Sequence, residues 1–191
     1  MKYMNYMNDD LWIFAYGSLI WNPGFDYLER RVGYVEGWVR KFYQASDDHR
    51  GQPGFPGRVV TLESSNQEVC WGICYRVALA HKALVIDYLD QRETGGFTQH
   101  ELPFIEVSPV DHPVTSIKTL VYIAQPGNPN YLGHAPANKI AEQIVQAAGL
   151  SGTNLEYLFR LAESLRLIGA QDSHVFTLEA LVKQLLQGIQ N

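Results

Sequence analysis

The sequence carries only two cysteines among 191 residues. Cys70 and Cys74 lie in Val69-Cys-Trp-Gly-Ile-Cys-Tyr-Arg-Val77, where Val, Ile, Trp and Tyr favour a strand. Four residues of strand span roughly 13 Å, beyond the reach of a disulfide, and two thiols make a poor zinc site. Both are expected to be packed thiols in a reducing compartment. The six His residues show no short metal-ligand spacing such as His-x-x-x-His. Also missing are a Gly-x-Gly-x-x-Gly dinucleotide loop, the second Gly and Lys of a P-loop, and a Gly-x-Ser-x-Gly nucleophile elbow. No metal and no organic cofactor is expected.

Positive charge is short: 15 Lys and Arg stand against 20 Asp and Glu, a net charge of −5. That field opposes nucleic acid and anionic membrane surfaces. No apolar run approaches the about 20 residues of a membrane span. Met1–Asp10 is polar with one Lys, and the apolar run Leu11–Trp21 is broken by Gly17-Ser18. A signal peptide would have a basic start and a small-residue cleavage site. The expected location is the cytoplasm, and the expected state a monomer. One domain over 1–191 is expected, with 1–10 a flexible N-terminal extension. A hydrophobic share of 46% and a charged share of 18% fit a folded chain able to bury a sizeable core. The eleven Tyr and four Trp suit a β-rich core or a lined pocket.

The first two-thirds reads as strand. Leu11–Tyr16 is a short apolar run ended by Gly17, and Gly33–Ala45 alternates loosely through Tyr34, Trp38, Phe42 and Tyr43. Arg58–Glu63 and Val69–Val77 look like two strands joined by a polar turn at Ser64–Glu68. His100–Val110 and Ile117–Ala124 look like two more, with Asp111–Ser116 as a loop. Ala80–Arg92 reads as a helix with Leu84, Tyr88 and Leu89 at helical spacing, closed by Gly95-Gly96. The last third is helical. Pro136 suits a helix start, Ile140, Ile144 and Val145 share a face, and Gly149 ends the run. Thr153-Asn-Leu-Glu156 has capping-box spacing before Leu155–Ile168, and a final helix follows Asp172-Ser173. Strands followed by helices imply an α+β class, with a small, partly open β-barrel and flanking helices.

Three segments could carry chemistry. In Phe14-Ala-Tyr-Gly-Ser-Leu-Ile-Trp21 a strand runs into Gly-Ser, so main-chain N–H groups can turn outward to meet a carboxylate or oxyanion. It also fits an ordinary strand-to-turn transition. In Tyr88-Leu-Asp-Gln-Arg-Glu93-Thr-Gly-Gly96, Glu93 sits at the C-terminal end of a helix, where the dipole disfavours negative charge. Partial burial would raise its pKa further, as suits a group that accepts and returns a proton; a solvated Glu at a helix end is the plain alternative. The loop from Ser46 to Arg58 is shaped by Gly and Pro and offers His49, Arg50 and Arg58 to a substrate carboxylate. Equally, its Arg residues could pair with Asp47 or Asp48.

Together the segments are more specific than any one. Tyr16-Gly-Ser-Leu-Ile-Trp-Asn-Pro-Gly-Phe25, His49-Arg-Gly51 with Pro56-Gly-Arg-Val59, and Tyr88–Gly96 resemble the ChaC family of glutathione-specific γ-glutamylcyclotransferases. The likeness continues through Asn130-Tyr-Leu-Gly133 and Asn154-Leu-Glu-Tyr-Leu158, from about Leu11 to Leu186. It implies the γ-glutamylcyclotransferase-like α+β barrel. It implies a lyase that converts glutathione to 5-oxoproline and Cys-Gly, with Glu93 as proton acceptor and donor. The substrate-binding residues it implies are Ala15, Tyr16, Gly17, Ser18, Leu19 and Ile20, with Arg50 and Tyr157. Many relatives have Gly at the place of Ala15, Lys at that of Thr94 and Tyr at that of Phe97. Such a reaction asks for little, because glutathione brings its own nucleophile, the α-amino nitrogen. Other γ-glutamyl peptides or amines are alternative substrates. A ligand-sensing regulator of cation transport, suggested by the family's older name, is the alternative outside enzymes. A regulator needs no carboxyl in its cleft, whereas this chain has Glu93 beside Gly-Gly.

Overall fold

The computed structural model describes residues 10–107 and 116–189. Asp10, the last residue of the expected flexible extension, is tied down: its carboxylate accepts from Arg76 Nε at 2.7 Å and from Leu79 N at 3.0 Å. The uniformly apolar Leu11–Ala15 forms β1, buried along almost its whole length. Glu29–Ser46 forms β2 and Gly57–Val77 forms β3, a long antiparallel ribbon. Phe97–Glu106 (β4) and Ser116–Ala124 (β5) complete a five-stranded barrel in the order β1-β3-β2-β4-β5.

The barrel is closed, tighter than the partly open one expected. A single parallel bridge between Ile13 of β1 and Leu120 of β5 makes the closure. Closure hides the edges that β1 and β5 would otherwise expose. A second difference concerns Ser64–Glu68. These residues form no turn between two strands; they lie within β3. The register with β2 shifts between Glu36 and Trp38, so the polar segment swells outward as a bulge beside Gly37. Both halves of β3 pair with β2, and the second half also pairs with β1. A continuous partner strand decides this, and local polarity cannot reveal it.

After β3, α1 spans Lys82–Arg92 and buries Val85 and Leu89, whereas Leu84 is 71% exposed. Helix α2 spans Ala137–Gln146 and stops before Gly149, which lies in the two-residue strand β6 (Ala148–Gly149) paired with β7 (Gly152–Thr153). Helix α3 spans Asn154–Leu167, and the Thr153 hydroxyl accepts from Glu156 N at 3.1 Å as the capping spacing predicts. Helix α4 spans Ser173–Ile189. Ile140, Ile144, Leu158, Leu161, Leu178 and Val182 join these three helices to the core that fills the barrel. Cys70 and Cys74 are free, buried thiols. Burial pushes Cys70 up to about 11, with Arg40 opposing, and raises Cys74 further. Among the described residues, no helix is long and apolar enough to cross a membrane. The outer part of the expected strand His100–Val110 and most of the loop Asp111–Ser116 lie outside the described residues.

Candidate active site

β1 alternates, so Phe14 and Tyr16 face a cavity of about 530 Å³ while Ala15 points to the other side of the sheet. β1 ends at Ala15, the chain bends through Tyr16 and Gly17, and Ser18–Ile20 make one 3-10 turn with no side-chain cap at Gly17. The first amides of such a turn have no partner within it. Ser18 and Leu19 line the cavity. Ile20 does not: the turn carries it round into the core, where its carbonyl accepts from Tyr75 Oη at 3.1 Å. Of the expected cradle, then, Ala15 and Ile20 stand outside the cavity and the four residues between them line it. Space beside Gly17 is tight. A Cβ there would lie 3.1 Å from Tyr157 Oη.

Glu93 follows the last turn of α1, and its N–H still bonds Leu89 O at 2.7 Å. Its side chain keeps 19% of its surface open, on the cavity. Burial raises the Glu93 pKa above the ordinary carboxylate value, and Arg92, whose Nε lies 3.6 Å from Oε1, works against that rise. Tyr16 just after β1, Tyr122 from β5 and Tyr157 from α3 share the cavity. Burial raises all three phenols, and the Glu93 charge adds to the rise in each. Beyond Glu93 the chain turns sharply through Gly95 and Gly96, at φ +79° and +102°. The Gly95 carbonyl accepts from Gln44 Nε2 at 2.6 Å and from Asn130 Nδ2 at 3.2 Å, which pins the turn from behind.

The Tyr157 hydroxyl accepts from Val60 N at 3.4 Å, which leaves its own proton for an acceptor in the cavity. The Tyr16 hydroxyl, by contrast, is committed to Tyr122 O at 2.7 Å. Arg50 reaches the cavity from the loop after β2, its guanidinium 5.7 Å from the centre of the Tyr157 ring. It pairs with Glu156 at 3.2 Å and not with Asp47 or Asp48. His49 lines the cavity as well, its Nδ1 at 2.8 Å from Ser151 Oγ. Arg58 is a correction. It is buried and spent on structure, donating to Gln143 Oε1 at 2.7 Å and Phe42 O at 2.9 Å.

A family model described as ChaC-like protein matches residues 11–185. The chain belongs to the ChaC family. Two mammalian relatives are both named glutathione-specific gamma-glutamylcyclotransferase 1. The Homo sapiens protein is 44% identical over 180 residues, covering 92% of this chain and 80% of that one. The Rattus norvegicus protein is 46% identical over 176 residues, covering 90% and 77%. A crystal structure titled as a gamma-glutamyl cyclotransferase specific to glutathione from yeast aligns with a TM-score of 0.86 at 27% identity. It covers 93% of this chain and 97% of that one. The fold is therefore that of the gamma-glutamylcyclotransferases.

The site of this ChaC chain also uses residues that its sequence did not single out. Arg40, 2% exposed, donates from Nε to Tyr16 O at 2.6 Å and from Nη1 to Asp172 at 2.7 Å, fixing the end of β1. The available signal was its place between Trp38 and Phe42 at strand spacing, a charge on a face that should be buried. Asp90, on α1, accepts from Tyr122 Oη at 2.6 Å and so orients a cavity wall. Among the described residues, no group of three or more His, Cys, Asp or Glu could hold a metal ion.

Proposed function

We propose that this chain closes the γ-glutamyl group of glutathione into 5-oxoproline and releases Cys-Gly. The observation that carries the reading is Glu93. One carboxyl of raised pKa stands in a small-molecule-sized cavity whose wall includes the Gly17–Leu19 turn and the Tyr157 hydroxyl. Relatives that share the family carry the same activity in their names.

The α-amino nitrogen of the substrate attacks its own γ-carbonyl carbon, and a five-membered lactam forms as the bond to the cysteine nitrogen breaks. Glu93, ionised, takes the proton that the amine must lose and delivers it to the departing nitrogen. The turn amides and the Tyr157 O–H face the substrate carboxylate or the developing oxyanion. Arg50, at the rim, faces the glycine carboxylate of the leaving group. The remaining task is to hold a folded conformer, a gain that reaches effective molarities of about 10⁵–10⁸ M in well-oriented systems. The protein acts as a monomer in the cytoplasm, with no added cofactor.

The experiment is incubation of purified protein with glutathione, glutathione disulfide and γ-Glu-Ala, followed by product analysis. Glutathione yields 5-oxoproline and Cys-Gly; the other two react poorly, because each misplaces what Arg50 and the rim would hold. Equal kcat/KM on glutathione and γ-Glu-Ala defeats the glutathione assignment and leaves a broader cyclotransferase. No 5-oxoproline from any of them defeats the reading altogether.

A further inference from the structure

Arg92 ends α1, one position before Glu93. Its side chain is 16% exposed, and its guanidinium is shared among two stretches of chain distant in sequence. Nη2 donates to Ser18 Oγ at 3.0 Å. Nη1 donates to Asn22 O at 2.9 Å, to Pro23 O at 3.3 Å and, within its own helix, to Tyr88 Oη at 2.8 Å. Nε faces Glu93 Oε1 at 3.6 Å. The turn after β1 and the end of α1 thus meet on one planar cation.

We propose that Arg92 is a positioning residue for the cyclisation, clamping the turn that holds the γ-glutamyl group to the helix end that carries Glu93. The inference rests on the reading of Glu93 as the proton carrier. Its logic is geometric. The cradle and the carboxylate come from elements that share no strand pairing, and a small slip between them would move the amine away from the group that must take its proton. Misplacements of about 1 Å can cost on the order of 10²-fold in rate. A guanidinium suits the task because its donors point in fixed directions, whereas a lysine offers a point charge on a flexible stem. Ser18 Oγ, accepting from Arg92, keeps its own proton free for the substrate.

The contact has a second effect. The phenols of Tyr16, Tyr122 and Tyr157 feel the Glu93 charge, and the loop after β2 brings Asp47, Asp48, His49 and Arg50 to the same cavity. Arg92 is the cation that opposes the burial of Glu93. Its charge therefore favours the ionised carboxylate that catalysis requires, and its fork fixes the turn. The two roles separate by substitution.

The test compares Arg92→Gln and Arg92→Lys with the unaltered protein. It reads kcat and KM for glutathione across pH. It also reads the titration of the Glu93 carboxyl without substrate, by infrared difference between each protein and its Glu93→Gln counterpart. Arg92→Gln is expected to raise KM at least about tenfold and to lower kcat as well, because a turn released from α1 holds the γ-glutamyl group less well and sets its amine away from Glu93. It also moves the acidic limb of kcat/KM, and the infrared titration, to higher pH. Arg92→Lys returns both towards their original pH and leaves KM raised. A folded Arg92→Gln variant with unchanged KM and unchanged acidic limb overturns the proposal. If that variant does not fold, an unchanged KM in Arg92→Lys does so. If the unaltered protein makes no 5-oxoproline, the functional reading fails by itself. The substrate-free titration then still decides the pairing, since an unshifted Glu93 in Arg92→Gln rules it out.

Discussion

The Tyr157 hydroxyl stands 3.1 Å from the place a Cβ would take on Gly17, and Val60 Cγ2 is equally near. Gly17 lies at φ −124° and ψ −136°, and a side chain added there must displace one of these two neighbours slightly. Gly17→Val fills the gap between the turn and α3. Glutathione binding, measured by titration calorimetry, is expected to be lost, with the melting temperature only modestly lowered. A Val variant with normal KM and kcat would remove this turn from the substrate site.

Glu93→Gln keeps the shape and hydrogen-bonding capacity of the side chain but cannot carry the proton. Single-turnover release of 5-oxoproline should fall by about 10²–10⁴-fold, the usual contribution of a general acid–base group. Glutathione binding should remain, and near-normal turnover would direct attention to Asp90 instead.

The same substitution has a stability signature. Burial raises Glu93 in the folded state, so the folded protein keeps that proton to higher pH than the unfolded chain does. Stability therefore declines as pH rises from the ordinary carboxylate range through the raised value. Glu93→Gln should melt higher than the unaltered protein at neutral pH, and the gap should close on acidification. Calorimetric melting over a pH series reads it. A gap that stays constant or widens towards acid contradicts a raised Glu93.

Asn154 closes a side-chain pair with the main chain of Arg58. Its Oδ1 accepts from Arg58 N at 2.7 Å, and its Nδ2 donates to Arg58 O at 2.8 Å. Asn154 is fully buried, so Asn154→Ala leaves both groups without a partner. The expected loss is roughly 2–4 kcal/mol of unfolding free energy, measurable by urea denaturation. Asn154→Asp should also destabilise, since it replaces the donor facing Arg58 O.

His174 predicts an acid-sensitive region. Burial, and next Lys41, push His174 down to about 4 from 6.5, and its Nε2 accepts from Phe42 N at 3.1 Å. As pH falls from 6.5 towards 4, the unfolded chain takes up a proton that the folded one refuses, and stability drains across that window. His174→Gln retains an acceptor for Phe42 N without titrating. Its unfolding free energy should show a shallower slope between those limits, and an identical slope would acquit His174.

The α+β class, the strand-then-helix order and the segments that meet at the cavity were legible because each is locally encoded. A continuous apolar run placed β1, loose alternation placed most of β2, the Thr153 spacing placed the start of α3, and a helix end beside Gly95-Gly96 marked Glu93. What was not legible depends on distant partners. Leu84 and Val85 are both apolar, and only the docked barrel decides that Val85 is covered. Ser64–Glu68 reads as a turn until an unbroken β2 lies beside it. Arg58 and Arg50 sit in one loop motif. One enters the core to hold Gln143 and Phe42 and the other reaches the cavity, because α2 and α3 claim different sides of that loop.

The wall opposite the cradle comes late. Tyr157 meets Val60 across 97 positions of chain, and its helix begins only after β5 has closed the barrel. At the about 5–20 residues per second of synthesis, a nascent chain spends seconds with its barrel strands and Glu93 synthesised but no α3. During that interval the cleft is open on one side and the Asn154 staple is missing. A growing chain, or one cut short after β5, therefore leaves the glutathione around it untouched, and activity appears only when the last third has docked.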